Sequence, residues 1–279
     1  MTMAARPRPV ATRCARSCLA ASMLMVAMAG GFAATGASAQ VAPSAAELRA
    51  YDGWFGAAAA GDVPRLRALI ATGADLDARD AHGRTALHVA THARRHEAIR
   101  VLARAGASLD ALEADRYDAV TIAAVADDVP TLALLLSLGA KPGQTTSRWD
   151  GTALIAAAHL GHDEVVRRLI AAGAPLDQVN NLHWTATIEA VVLGDGGPRH
   201  QRTLAALIGA GADLSLADRQ GRTPLRLARE HGQAAMVAML ETAGFRPLVL
   251  LSPPLHATDA VRSFGRRRAD AAMAQPMAA

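Results

Sequence analysis

Similar words return along this chain at a nearly fixed interval. GRTALHVA runs from Gly83 to Ala90, GTALIAAAHLGHDEVVRRLIAAGA from Gly151 to Ala174, and GRTPLRLA from Gly221 to Ala228. A second word, an apolar stretch closing on Gly-Ala, recurs at Gly73-Ala74, Gly106-Ala107, Gly139-Ala140, Gly173-Ala174 and Gly211-Ala212, a period of about 33 residues. One such unit cannot bury its own apolar face and must lean on the next copy. The period therefore selects a stack of repeats over a single globular core.

The spelling of the unit describes its structure. In GRTPLRLA, Gly221 permits a tight turn at positive φ, Thr223 caps the helix that follows, and Pro224 occupies the first helical position, where its missing N–H costs nothing. Leu225 and Ala228 lie three apart on the buried face, and Gly232 lets the chain reverse. The second helix points Met236, Val237 and Leu240 inward and is expected to close at Gly244 in the left-handed position. Two antiparallel helices and a polar hairpin make one unit. These words resemble the ankyrin repeat, and the resemblance implies an all-α solenoid of stacked helix-turn-helix units with hairpin-like loops.

The resemblance runs from about Glu47 to Phe245. It gives an N-terminal cap and about five repeats over 47–77, 78–111, 112–144, 145–177, 178–215 and 216–245. The helix-capping position falls on Thr85, Asp118, Thr152, Thr185 and Thr223. Two units depart from the pattern and are placed by register: Arg116 stands where the third expects glycine, with Asp127-Asp128 in its helix-helix turn, and His183 replaces the glycine of the fifth. The fifth is also longer. After Gly194 the residues Asp195-Gly196-Gly197-Pro198-Arg199-His200 intervene before Leu204 and Leu207 resume the apolar pattern.

The flanks predict export. Arg6, Arg8, Arg13 and Arg16 precede the apolar run Leu19 to Ala29 and the small-x-small triplet Ala37-Ser38-Ala39, the layout of a signal peptide over 1–39 cut after Ala39. The run is shorter than the roughly 20 residues that span a bilayer, so no stable membrane insertion is expected after cleavage. Residues 40–46 read as a short linker, and 246–279 as a disordered, basic, Ala- and Pro-rich tail. Both cysteines, Cys14 and Cys18, fall in the leader, so the mature chain has neither disulfide nor thiol chemistry. Removing the four leader arginines from 29 basic residues leaves 25, against 25 acidic, and this balance argues against nucleic acid as a partner. A single lysine, Lys141, amid many Ala and Arg suggests a bacterial source, which makes the destination the periplasm or the exterior.

No catalytic constellation emerges, and neither an enzyme activity nor a cofactor is expected. His88 and His92 lie four apart on one helix, a spacing that permits metal sharing, but the glutamate of H-E-x-x-H is missing. In the ankyrin family the residue at His88 commonly bonds neighbouring hairpins, so no metal is assigned. Function falls to the surface, and the resemblance implies protein binding by hairpin tips and first helices; a capped solenoid is by default a monomer. The candidate tip residues are His82, Arg84, Arg116, Tyr117, Arg148, Trp149, His183, Trp184, Arg219 and Arg222; aromatic and arginine side chains are the usual anchors of interfaces. For Trp149 and Trp184 packing against the adjacent hairpin is an equal reading. Asp195, Arg199 and His200 form a candidate second contact on the opposite edge, with a plain extension of the turn as an equal reading. The sequence predicts an exported protein-binding scaffold, with stress defence or toxin neutralisation as conceivable roles. A secreted effector of a host protein and a His-pair metal protein remain the alternatives.

Overall fold

The computed structural model of the chain describes residues 42–244, so the leader with its Ala39 cut and the tail from 246 lie outside the described residues. The described helices are α1 (Ala45–Ala50), α2 (Gly53–Ala60), α3 (Val63–Ala71), α4 (Ala86–His92), α5 (His96–Arg104), α6 (Ala119–Val125), α7 (Val129–Ser137), α8 (Ala153–His159), α9 (Asp163–Ala171), α10 (Ala186–Val192), α11 (Pro198–Ala210), α12 (Pro224–Glu230) and α13 (Ala234–Gly244). Extended pairing among the described residues is limited to one isolated bridge, Thr146 to Gly151. From α2 on the helices come as pairs. The first helices α2, α4, α6, α8, α10 and α12 pack in sequence against one another, and the second helices α3, α5, α7, α9 and α11 do the same.

Each capping residue named from sequence starts its helix. The carboxylate of Asp118 accepts Thr121 N–H at 2.7 Å, and the hydroxyls of Thr152, Thr185 and Thr223 accept the N–H three residues on at 3.3, 3.3 and 3.4 Å. Burial raises the Asp118 carboxyl to about 6 against the bonds from Thr121, because a charge is costly away from water.

The divergent units keep the same hairpin corner without glycine. Gly83 and Gly221 take φ of 69° and 70°, and Arg116 and His183 take 65° and 63° at the matching places. Repeat four differs from the sequence alignment of its words. Asp150, at φ 53°, is its corner, and Gly151 occupies the position of Arg84, so this hairpin carries one extra residue. Each non-glycine corner costs on the order of 1–2 kcal/mol, which the surrounding stack sustains.

The core is aliphatic. Leu66, Leu87, Ile99, Leu102, Leu132, Leu135, Leu154 and Leu169 are buried between helices, with Ala90, Ala124, Ala158 and Ala190 at the close crossings. A second cluster of Ile188, Val191, Leu204, Leu227, Met236 and Leu240 continues it through the last units. Trp54 packs against the first cluster. Two boundary expectations change. The segment read as a linker to residue 46 already contains the start of α1, because Ser44 and Glu47 form a reciprocal capping box. Gly244 does not leave the helix for a left-handed position; it is the last described residue of α13.

Candidate protein-binding surface

The hairpins form one continuous row. In four of the five, a single acceptor side chain ties the corner: Asp80 Oδ1 accepts the N–H groups of His82 and Arg84, both at 2.8 Å, and Asp218 Oδ1 accepts those of Gln220 and Arg222, both at 2.9 Å. Glu113 serves Asp115 and Tyr117, and Asn180 serves Leu182 and Trp184. The sequence reading gives none of these organisers a role. Their signal was a carboxylate three residues before the corner, an Asx-type local bond.

Between hairpins, Ala114 N–H donates to His82 C=O, Ser147 N–H to Arg116 C=O and Asn181 N–H to Trp149 C=O at 2.8–2.9 Å. At the last junction Arg219 Nη2 donates to Asn181 C=O. Arg116 pairs with Asp150 at 2.9 Å and Arg148 with Asp115 at 2.8 Å, a crossed pair of bridges between neighbouring tips. His88 works as the resemblance implied. Its Nδ1 lies 2.8 Å from the Thr85 hydroxyl and accepts Thr85 N–H, which leaves Nε2–H to donate to Ala111 C=O at 2.9 Å. Burial holds this imidazole down to about 4, hence neutral, and both nitrogens are spent. His92 is also held to about 4 by burial, then by His88 and Arg84. With His88 fully engaged, the pair offers no two-nitrogen metal site; among the described residues no group of three or more His, Cys, Asp or Glu is placed to hold a metal.

The candidate tip residues divide sharply. Arg84 is buried, gripped by Asp80 and Glu47, because α1 crosses its hairpin; its side chain is not available to a partner. His82 is exposed with Nε2 3.0 Å from Glu47. Arg116, Arg148, His183 and Arg219 are exposed; Tyr117 and Arg222 are intermediate. Burial, then the charges of Asp115 and Glu113, push the Tyr117 phenol above its usual range. The two tryptophans part company: Trp184 is half-buried against the second cluster, whereas Trp149 is 45% exposed. With Leu160 and Val179 it makes three of the four exposed large apolar side chains among the described residues, all in repeats four and five.

The second-edge candidates are tied to the stack, with His200 covered and Asp195 and Arg199 still exposed. Arg199 Nη2 reaches Asp127 at 2.6 Å and its Nε donates to Gly161 C=O at 3.0 Å, tying repeat five to repeats three and four. His200 Nδ1 lies 2.9 Å from Asp195 and Nε2 3.0 Å from His159 C=O, its ring set against Gly161 and Gly194. The insertion clips the stack, and it lengthens α11 to 13 residues where α9 has 9. Sequence reading also passed over Glu189. It is buried at a position where other units carry Val89, Ile122, Ala156 and Leu227, and it bonds Asn180 Nδ2 at 2.8 Å and His159 Nδ1 at 3.2 Å.

The comparisons agree with this geometry. The model of the ankyrin repeats (3 copies) matches residues 54–146 and 120–218. The chain belongs to the ankyrin-repeat family. It is similar to the putative ankyrin repeat protein YahD of Escherichia coli (strain K12), with 33% identity over 190 residues, covering 67% of this chain and 94% of that protein. A solved ankyrin repeat domain from Acinetobacter baumannii AYE is 40% identical with a TM-score of 0.64, covering 68% of this chain and 97% of the other. The complex of the predatory endopeptidase Bd0816 of Bdellovibrio bacteriovorus with the immunity protein Bd3460 contains a chain sharing the fold, at TM-score 0.57 and 22% identity, covering 69% of this chain and 98% of the other.

Proposed function

We propose that this ankyrin-repeat chain is an exported, non-enzymatic scaffold that holds another protein on its hairpin row. The observation that carries the reading is Trp149, 45% exposed on a hairpin tied to its neighbours by backbone bonds and crossed ion pairs. A large aromatic on a pre-ordered surface loses little entropy when it anchors a partner. The leader, with its basic start, apolar run and Ala37-Ser38-Ala39 triplet, supports export, and the proposed compartment is the periplasm. Neutralising a toxic protein or protecting one under stress is the service such a scaffold would perform. The likeness to the endopeptidase–immunity complex concerns the fold alone.

The test is capture of proteins from a periplasmic extract by the chain from Gln40 onward, with Trp149→Ala run alongside and cell fractions probed for the mature form. A partner held by the wild type and lost by the folded variant is the expected outcome. An empty capture from every fraction, or a chain found only in the cytoplasm, would overturn it.

A further inference from the structure

Most buried carboxylates of the described stack lie beside an arginine. Asp128 pairs with Arg94 at 3.1 Å, Asp163 with Arg202 at 2.9 Å and Asp218 with Arg222 at 2.7 Å. Asp118 serves the start of α6, where it accepts Thr121 N–H at 2.7 Å. Glu189 stands apart. Its side chain is 6% exposed, and its bonds go to the Asn180 amide and the His159 ring.

Two exchanges build this group. Asn180 stands where other hairpins carry Asp80, Glu113 and Asp218, and Glu189 where other first helices carry Val89, Ile122 and Leu227. Asn180 Oδ1 orders Leu182 and Trp184 N–H as those carboxylates order theirs, and its Nδ2 donates to Glu189 Oε1 at 2.8 Å. Holding Asn180 accounts for one oxygen of Glu189. The other, Oε2, lies 3.2 Å from Nδ1 of His159, the last residue of α8. A carboxylate only accepts, so in the neutral ring Nδ1 carries the proton and Nε2 keeps a lone pair. Nε2 has no bond among the described residues, the side chain is 36% exposed, and the His159 carbonyl is fastened by His200 at 3.0 Å.

The first helices pack side by side, so the residues seven and eight places after each capping residue form two adjoining lines. Over repeats three to five these are Val125, His159 and Val192, then Ala126, Leu160 and Leu193, half-buried or exposed. Neither line holds a lysine or arginine in any repeat, and the first ends on Glu230. We propose that His159, with Glu189 behind it, receives an arginine side chain of the protein partner. The guanidinium donates to Nε2 in the field of the buried carboxylate, and the methylene stem lies along Leu160 and Val192. This rests on the protein-binding reading above and names the chemistry of the partner. A buried negative charge without a fixed cation favours a cationic donor over a neutral one, and arginine sheds water more readily than lysine. Joining repeat four to repeat five accounts for a hydrogen bond at this place, but not for a full charge where other units carry aliphatic side chains.

The probe is the peptide acetyl-ALRLA-amide, with citrulline in place of its arginine as the uncharged match. Each is titrated into the isotope-labelled chain from Gln40 onward at mildly alkaline pH, and the His159 ring nitrogens and backbone amides are followed by NMR. In the free chain Nδ1 should be protonated and Nε2 bare. The arginine peptide at millimolar concentration should shift Nε2 and the amides of 156–160 and 189–193 saturably, about tenfold more weakly with Glu189→Gln; the amide shifts should vanish with His159→Ala, and the citrulline peptide should move none of these signals. Overlaid spectra away from these segments verify that each variant folds. A proton on Nε2 of the free chain, no shift with the arginine peptide, an equal response to citrulline, or binding undiminished by Glu189→Gln would overturn the site. Such a failure leaves the capture of a partner through Trp149 standing, so the two readings fail separately.

Discussion

The segments that lead from each second helix into the next hairpin carry a rule that one junction breaks in a compensated way. Asp77 accepts the N–H of Ser108 at 3.1 Å, Asp110 that of Lys141 at 3.4 Å, and Asp177 that of Asp213 at 2.9 Å, each linking one repeat to the next. At the remaining junction the acceptor position is Gly143 and the donor position is Pro175, which has no N–H to give. A Cβ added to Gly143 would stand 2.6 Å from Pro175 Cδ and 3.2 Å from Cγ. The proline ring fills the space in which an aspartate elsewhere makes its bond. Gly143→Asp should therefore destabilise by about 1–3 kcal/mol, because a rigid ring and its backbone must move. In a Pro175→Ser background the same change recreates the Asp77–Ser108 arrangement and should become neutral or stabilising by about 0.5–1.5 kcal/mol. Urea unfolding of the wild type, both single variants and the double variant measures the coupling, which should reach at least about 1.5 kcal/mol. Additive single effects, with no coupling, would refute the reasoning.

Leu169→Ala, which empties a fully buried site, should cost about 2–5 kcal/mol in chemical unfolding, whereas Trp149→Ala should change stability by less than about 0.5 kcal/mol. Trp184→Ala should fall between them because its ring packs on the second cluster. Arg199→Ala should cost about 1 kcal/mol, part of it salt-sensitive, by releasing Asp127 and the Gly161 carbonyl; an unchanged urea midpoint would show that the insertion does not clip the stack. Asp118, raised to about 6 by burial, favours the folded state when protonated, so its contribution is fully present below pH ~3.8 and lost as pH rises toward 6. Asp118→Asn should gain stability over the wild type on going from pH 4 to pH 7, by at most about 2–3 kcal/mol, and a pH-independent difference would contradict the raised carboxyl.

The period, the capping residues and the apolar faces were legible in sequence because each depends on neighbours three or four positions away. Arg116 and His183 were placed by register, and the backbone follows register even where the corner lacks glycine. Repeat four escaped because its word begins with Gly151, one position after the true corner at Asp150. Long-range pairings were the hidden part. That Arg84 is covered depends on Glu47, 37 residues earlier, and that Arg199 clips the stack depends on Asp127, 72 residues earlier; no local pattern announces either. Trp149 and Trp184 read alike in sequence, and only the packing of the following unit separates an exposed ring from a half-buried one.

The central claim is that a partner protein sits on the hairpin row. Hydrogen exchange on the chain with and without its captured partner tests it most directly. The account predicts slowed exchange at amides of the hairpins around Trp149, His183 and Gly221, with the second helices α5, α7 and α9 unchanged. Protection confined to those second helices, with the hairpins exchanging as in the free chain, would contradict it.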